Sequence, residues 1–491
     1  MNMSTGGEGI PARGHHGAAA TGHPLATRSA LRILAAGGSA VDAAIAAQAV
    51  IAVVMPHAAG LGGDLLALVR QGDGSVHAVN GTGCTPATAP GLYATDGGSS
   101  VTVPGIVDGW FVLHRRWGRL PLEEVFGDAI ACADTGYVVD AGLAAAVRAQ
   151  RHRITRYGGA DWPLLATSDG GLWRQHELAR LLATLAADGP GAFYAGPAAQ
   201  ALVDAVGRTG GTLALSDLAS HRSEEPGPVE TPWNGGRLLV QPPASQGILL
   251  AMAARWVEDA SPLPAAGLDH LLVEATEAAF AHRSDAGGDP AALLDRGLDV
   301  DRVRAGGRGG PRAYLHTAGV AVADSGGMVV SSLVSVFDDF GSAVFVPELG
   351  IVLNNRAAGF TDGANAAGPG RRPVHTLAPA MLLDAGGHPL ALATPGADGQ
   401  VQTILQVLAR MRCGGLSLHD AVAALRWRSE GGRLLIEEGH PATADLAGRG
   451  HDVVPRTAGD DVFGAVVAAG LDAAGPYAVG DWRRNVAEGA A

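Results

Sequence analysis

The chain contains no lysine: all 35 of its basic residues are arginine. That absence excludes a Schiff-base lysine, a lysine general base and a P-loop lysine, and with them several enzyme classes. Cysteine is nearly absent as well. Cys84, Cys132 and Cys413 are far apart and odd in number, so neither a disulfide framework nor a zinc cluster is expected, and each reads as a small apolar side chain. No apolar run reaches bilayer length; AAIAAQAVIAVVM at residues 43–55 ends at Pro56 and reads as a core helix. There is no basic stripe either, and a formal charge of −13 argues against a nucleic-acid partner. The opening MNMSTGGEGIPARGHHG has no apolar run after its basic residues, so no secretory signal and no membrane partner are expected and the predicted location is cytoplasmic. His15 and His16 have no further ligand at helical or turn spacing, so no metal is expected there. GLGGDL at residues 60–65 lacks the full dinucleotide-loop pattern and a preceding strand, and no cofactor is expected.

What is present is a globular composition: 491 residues, 47% hydrophobic and 17% charged, enough for a large core in one layered domain or in two or three. After a Gly/Ala-rich tail over residues 1–16 that is expected to be disordered, HPLATRSALRILAAGGSAVDAAIAAQAVIAVV reads as two helices separated at Gly37-Gly38. LLALVRQGDGSVHAVN reads as a hairpin around Gly72-Asp73-Gly74. Residues 107–298 read as mostly helical, with breaks at Gly/Pro-rich joints such as QPPASQG. Residues 287–310, rich in Gly, Asp and Arg, read as a surface loop suited either to a cut in the chain or to a plain connection. Beyond residue 312 the pattern turns to strands, and GQVQTILQVLARMR then closes that run as a helix.

Four local patterns could carry chemistry. In HTAGVAVADSGGMVVSSLVS, Thr317 stands at the start of a strand, after His316 and before the small Ala318 and Gly319. If the His316–Thr317 bond were cut, the freed α-amino group could act as base for the threonine's own hydroxyl. A strand-opening threonine is also common without any such role. LATPGADGQ forms a strand-to-helix turn whose N–H groups at Gly396 and Ala397 could form an anion-binding nest, or simply connect the two elements. RRPVHTLAP gathers Arg371, Arg372, His375 and Thr376 in one polar segment able to present donors to a carboxylate, or to lie solvated as a loop. Ser245 has no nucleophile-elbow pattern around it and reads as a turn serine.

Taken together, GAAATGHPLATRSALRILAAGGSAVDAAIAAQAVIAVVMPHAAGLGGD, VTVPGIVDGW, SDLASHR, QPPASQGILL, AFAHRSDAGGDP, GIVLNNRAAGF, RRPVHTLAP and TPGADGQ occur in the order found in the γ-glutamyltranspeptidases, and the chain resembles that family from Gly17 onward. The resemblance implies an α+β fold, the four-layer αββα sandwich of N-terminal nucleophile hydrolases. It implies one chain that cuts itself between His316 and Thr317 into a large-subunit part, 17–316, and a small-subunit part, 317–491, sharing one domain. Thr317 falls on the family's nucleophile, Ser335 on its supporting hydroxyl, and Gly396 and Ala397 on its oxyanion-hole pair. The resemblance also shows departures. Thr82 stands where transpeptidases hold the glutamyl carboxylate with arginine, and Gly359 where they hold its amino group with an acid. His375 and Thr376 replace paired serines, Arg356 replaces a Gln or Glu, and the lid loop is reduced to TDGANAAGP. Ala318 and Gly319 replace a Thr and a His.

The expected activity is therefore hydrolysis of an amide of a small, anionic, non-glutamyl acyl group, with Arg356, His375, Thr376 and Arg372 as candidate substrate contacts. The partners expected are a small-molecule substrate and the two parts of the same chain; a homo-oligomer is compatible with this. Three alternatives share the same residues: a γ-glutamyl transferase with a rebuilt pocket, an oxalyl-removing C–C hydrolase, and a catalytically silent relative.

Overall fold

In the strand Ala318–Asp324, Val320 and Val322 enter one apolar cluster while Ala321 and Ala323 enter another. The same division recurs in Pro389–Ala393, where Leu390 and Leu392 face one side and Ala391 and Ala393 the other. Alternating side chains point to opposite faces of a sheet, so the bulky residues meet helices and the small ones meet a second sheet. Alanine on the inner faces lets the two sheets approach closely. Each buried valine or leucine on an outer face contributes about 1.5–3 kcal/mol.

The computed structural model describes residues 2–4, 10–88, 93–306 and 317–491. One seven-stranded antiparallel sheet runs in the order Asn2–Ser4, Ala487–Ala490, Gly17–Thr21, Ala318–Asp324, Val329–Ser335, Asp64–Arg70, Val76–Gly81. The other runs Ala12–Arg13, Gly475–Gly480, Val467–Asp472, Pro389–Ala393, Ala380–Leu383, Gly236–Val240, Val229–Trp233. Pro24–Ala35 and Ala40–Val54 cover the first sheet; Gly247–Ala260, Leu268–Phe280 and Gly399–Gly414 cover the second. The architecture is the expected αββα sandwich. Ala40–Val54 is buried on every side, and its first turn is closed by a capping box between Ser39 and Asp42. Among the described residues, no helix is long and apolar enough to cross a membrane.

Two expectations are corrected. The segment 1–16 is not simply a tail: Ala12–Arg13 pairs with Gly475–Gly480, and Asn2–Ser4 pairs with Ala487–Ala490. An edge strand needs only a neighbour's free N–H and C=O groups, not an apolar pattern of its own. The mostly helical middle contains the hairpin Val229–Trp233 and Gly236–Val240, turned by Asn234 and Gly235 at φ +47° and +75°. This is the left-handed pair that a tight hairpin demands. Residues 307–316, which include His316 and the end of the expected surface loop 287–310, lie outside the described residues.

Candidate active site

Thr317 immediately precedes Ala318–Asp324 and is almost sealed from solvent. The hairpin register sets Ala318 opposite Val334, which brings the Thr317 hydroxyl beside Ser335; Oγ1 donates to Ser335 Oγ at 3.2 Å. Ser335 Oγ in turn accepts the Phe337 N–H at 2.9 Å, so its position is fixed by the backbone. The small residue at 319 has a packing reason. A Cβ on Gly319 would stand 2.9 Å from Val467 Cγ2 and 3.3 Å from Ala393 Cβ, so only glycine lets the strand lie this close to the second sheet.

GLGGD serves a different close approach. A Cβ on Gly62 would meet Val352 O at 2.0 Å, and one on Gly63 would meet Ser335 O at 2.4 Å. The two glycines let the chain press against Ser335 and deliver Asp64 opposite it in register. Asp64 is fully buried, with Oδ2 3.1 Å from His375 Nε2 and 3.4 Å from Arg356 Nε. His375 Nδ1 accepts the Leu377 N–H, so the ring proton sits on Nε2 and is donated to Asp64. Burial first, then the charge of Arg356, lowers the His375 pKa to about 4, and the imidazole is neutral at neutral pH.

Arg356 is fully buried too. Its guanidinium lies 4.0 Å over the Phe337 ring, and Nη1 donates to Thr376 Oγ1 at 3.4 Å. Burial lowers its pKa to about 10, with Asp64 and Asp338 opposing, so it stays cationic. Among the described residues its Nη2 is buried without a hydrogen-bond partner. A buried donor of this kind costs roughly 1–3 kcal/mol unless a ligand satisfies it.

The turn after Pro389–Ala393 completes the group. Gly396 has φ +122° and Ala397 φ +48°, a strained, left-handed backbone. Among the described residues neither of their N–H groups donates to a protein acceptor. Gln246 fixes the turn against the His375–Thr376 segment: its Nε2 donates to Thr376 O at 2.5 Å and to Ala397 O at 2.8 Å. Arg283 braces the same corner through Asp398 at 2.8 Å. Ser245 Oγ accepts the Gly247 N–H at 3.0 Å, the turn role expected of it, and donates to Leu377 O across the fold.

A cavity of about 410 Å³ opens at Thr317, with Met55, Leu143 and Val467 among its apolar walls and His23, Asp140 and Arg484 among its polar ones. This is the size of a small-ligand pocket. Arg356, His375 and Thr376 do not line it; they lie sealed in the adjoining layer, joined to Thr317 through Ser335, Asp64 and Phe337. Arg372 does not join the group. It donates to Thr82 O and Arg222 O, pairs with Glu224, and lines a separate cavity with Cys84 and His221. Thr82 gives its hydroxyl to Asn80 at 2.6 Å. Asp64, Gln246 and Phe337 were not legible as site residues. The available signal for Asp64 was an acid directly after paired glycines and before the apolar run LLALV.

A family model described as Gamma-glutamyltranspeptidase matches residues 26–298 and 307–491. The oxamate amidohydrolase proenzyme of Klebsiella pneumoniae subsp. pneumoniae is 34% identical, with 84% of this chain and 85% of that protein covered. The acylase ACY 1 proenzyme of Pseudomonas sp. (strain SE83) is 33% identical over 91% of this chain and 89% of its own length. The crystal structure of cephalosporin acylase from Bacillus halodurans superposes with a TM-score of 0.88 at 27% identity, covering 100% of this chain and 97% of that one.

Proposed function

The chain belongs to the γ-glutamyltranspeptidase family of N-terminal nucleophile enzymes, and from that footing we propose that it is a self-processing threonine amidohydrolase acting on a short anionic acyl amide. The observation that carries the nucleophile is the Thr317 hydroxyl, held at a strand start against Ser335. Cutting the 316–317 bond gives Thr317 a free amino group, whose ordinary pKa of about 7.7–8.0 suits a base near neutrality. That amine takes the hydroxyl proton as Oγ1 attacks the substrate carbonyl. The oxyanion accepts hydrogen bonds from the Gly396 and Ala397 N–H groups. The C–N bond then breaks as the ammonium protonates the leaving amine, which leaves an ester on Thr317. Water, deprotonated by the same amine, attacks the ester and releases the acid.

The acyl preference rests on the charge of Arg356, which lies sealed behind Thr317 and not on the pocket wall, and whose Nη2 has no hydrogen-bond partner among the described residues. A glutamyl head is poorly served: Thr82 is committed to Asn80, and Gly359 offers no carboxylate to the α-amino group. Two of the relatives are named for oxamate hydrolysis and for acylase activity, so oxamate, an amide carrying its own carboxylate, is the substrate to try first. The test compares oxamate with neutral acetamide in the wild type and in Arg356→Gln. Removing the buried cation should raise KM for oxamate by roughly tenfold while acetamide changes little. Equal changes for the two amides contradict an anionic acyl site.

A further inference from the structure

We propose that the protein binds one divalent cation of the zinc class through His270, Glu274 and His451, and that this cation ties the part of the chain before residue 306 to the part after residue 317. His270 and Glu274 stand one turn apart on Leu268–Phe280 and so share a face of that helix. His451 follows the helix Thr443–Gly448 and arrives from the far side of the sequence. One ligand atom from each of the three lies within 4.8 Å of the other two. An ion equidistant from them would be at most about 2.8 Å from each, against the roughly 2.0–2.2 Å of zinc bonds to nitrogen and oxygen, so small side-chain movements close the site.

The chemistry of the donors fits such an ion. His270 Nδ1 and His451 Nε2 are 2.9 Å apart, and two imidazoles in that contact cannot both carry two protons. The two facing nitrogens share one proton in this contact, and a bound ion takes the place of that proton. His270 and Glu274 are buried and His451 is half-buried, so the carboxylate faces the rings with little water around it. Mixed nitrogen and oxygen donors of this kind suit zinc and its neighbours rather than calcium or magnesium. The opposing charge is Arg449, which is drawn aside by Asp445 at 2.9 Å and by the carbonyls of Arg302 and Val303.

The site sits where the first part of the chain is pinned down before the segment leading to Thr317. Glu274 Oε1 accepts the Gly306 N–H at 3.1 Å, and the Ala305 N–H donates to Arg449 O at 3.0 Å. An ion bound here would hold that anchor to the loop carrying His451, and it would do so whether or not the chain is cut. Ligand binding to the folded form alone raises stability by mass action.

The test uses the full chain with any tag removed, stripped with EDTA and titrated with ZnCl₂ by calorimetry, beside His451→Gln and Glu274→Gln. Thermal melts in EDTA establish that each variant is folded. The expected result is one zinc per wild-type chain, binding weakened about tenfold or more in each variant, and a melting temperature that zinc raises only in the wild type. Absence of stoichiometric binding, or equal affinity in wild type and variants, overturns the proposal. Should both variants fail to fold, the visible spectrum of Co²⁺ added to the stripped wild type decides. Intense tetrahedral bands support the site, and the weak spectrum of hydrated cobalt overturns it.

Discussion

Asp64 Oδ2 lies 3.1 Å from His375 Nε2 across 311 positions of sequence, with both side chains fully buried. The same carboxylate oxygen is 3.4 Å from Arg356 Nε, so one acid neutralises the cation and orients the imidazole behind Thr317. Asp64→Asn removes the nearer countercharge and leaves the buried guanidinium with only the more distant Asp338 to oppose its charge. The expected loss is about 3–5 kcal/mol, read in urea denaturation as a lower midpoint at unchanged slope. An unchanged midpoint would mean that Arg356 does not depend on this pair.

His375 gives the pair a pH dependence. Its folded pKa of about 4 lies below the ordinary 6.5, so between these values the unfolded chain binds the extra proton and the folded chain does not. Stability is therefore fully present above pH 6.5 and is lost as pH falls toward 4, by up to about 3 kcal/mol. His221 is lowered to about 4 by burial as well and titrates over the same window. Denaturation curves between pH 7 and 4 should show a shallower loss in His375→Gln than in the wild type, with the share from His221 remaining.

Gly63 and Gly60 make a matched comparison within one motif. A Cβ at Gly63 falls 2.4 Å from the Ser335 carbonyl oxygen, whereas one at Gly60 meets nothing within 4 Å. Gly63→Ala must displace the backbone that carries both Asp64 and Ser335, and should cost more than about 3 kcal/mol and most of the activity. Gly60→Ala should leave melting temperature and rate close to wild type. Equal behaviour of the two variants would remove the packing explanation of the motif.

Ser335→Ala probes the positioning of the nucleophile. It takes away the partner of Thr317 Oγ1 and the acceptor of the Phe337 N–H. A fall in kcat of about tenfold or more with KM little changed is expected, since the lost bond aligns the hydroxyl rather than binding substrate. A change confined to KM would place Ser335 in the substrate site instead.

The sequence made visible what local chemistry dictates. The hairpin from Ala318 to Ser335, the strands around His388 and the fully buried helix Ala40–Val54 follow from period, glycine turns and caps. The Asn234-Gly235 hairpin carried an equally local signal, submerged in surroundings of helical period. Ordered family motifs pointed to Thr317, Ser335, Gly396 and Ala397 as candidates. Asp64 could not be read the same way, because its partners Arg356 and His375 come from the other end of the chain and only the fold brings them together. Arg372 erred in the opposite direction: adjacent in sequence to His375, it is turned outward by Glu224 into another cavity.

The measurement that bears most directly on the central claim is the intact mass of the purified wild type beside Thr317→Ala. Wild type should yield two pieces, the smaller beginning at Thr317, and the variant should stay at full length without amidase activity. A wild type that hydrolyses amides while remaining one uncut chain, or a Thr317→Ala chain cut at the same bond, would contradict that claim.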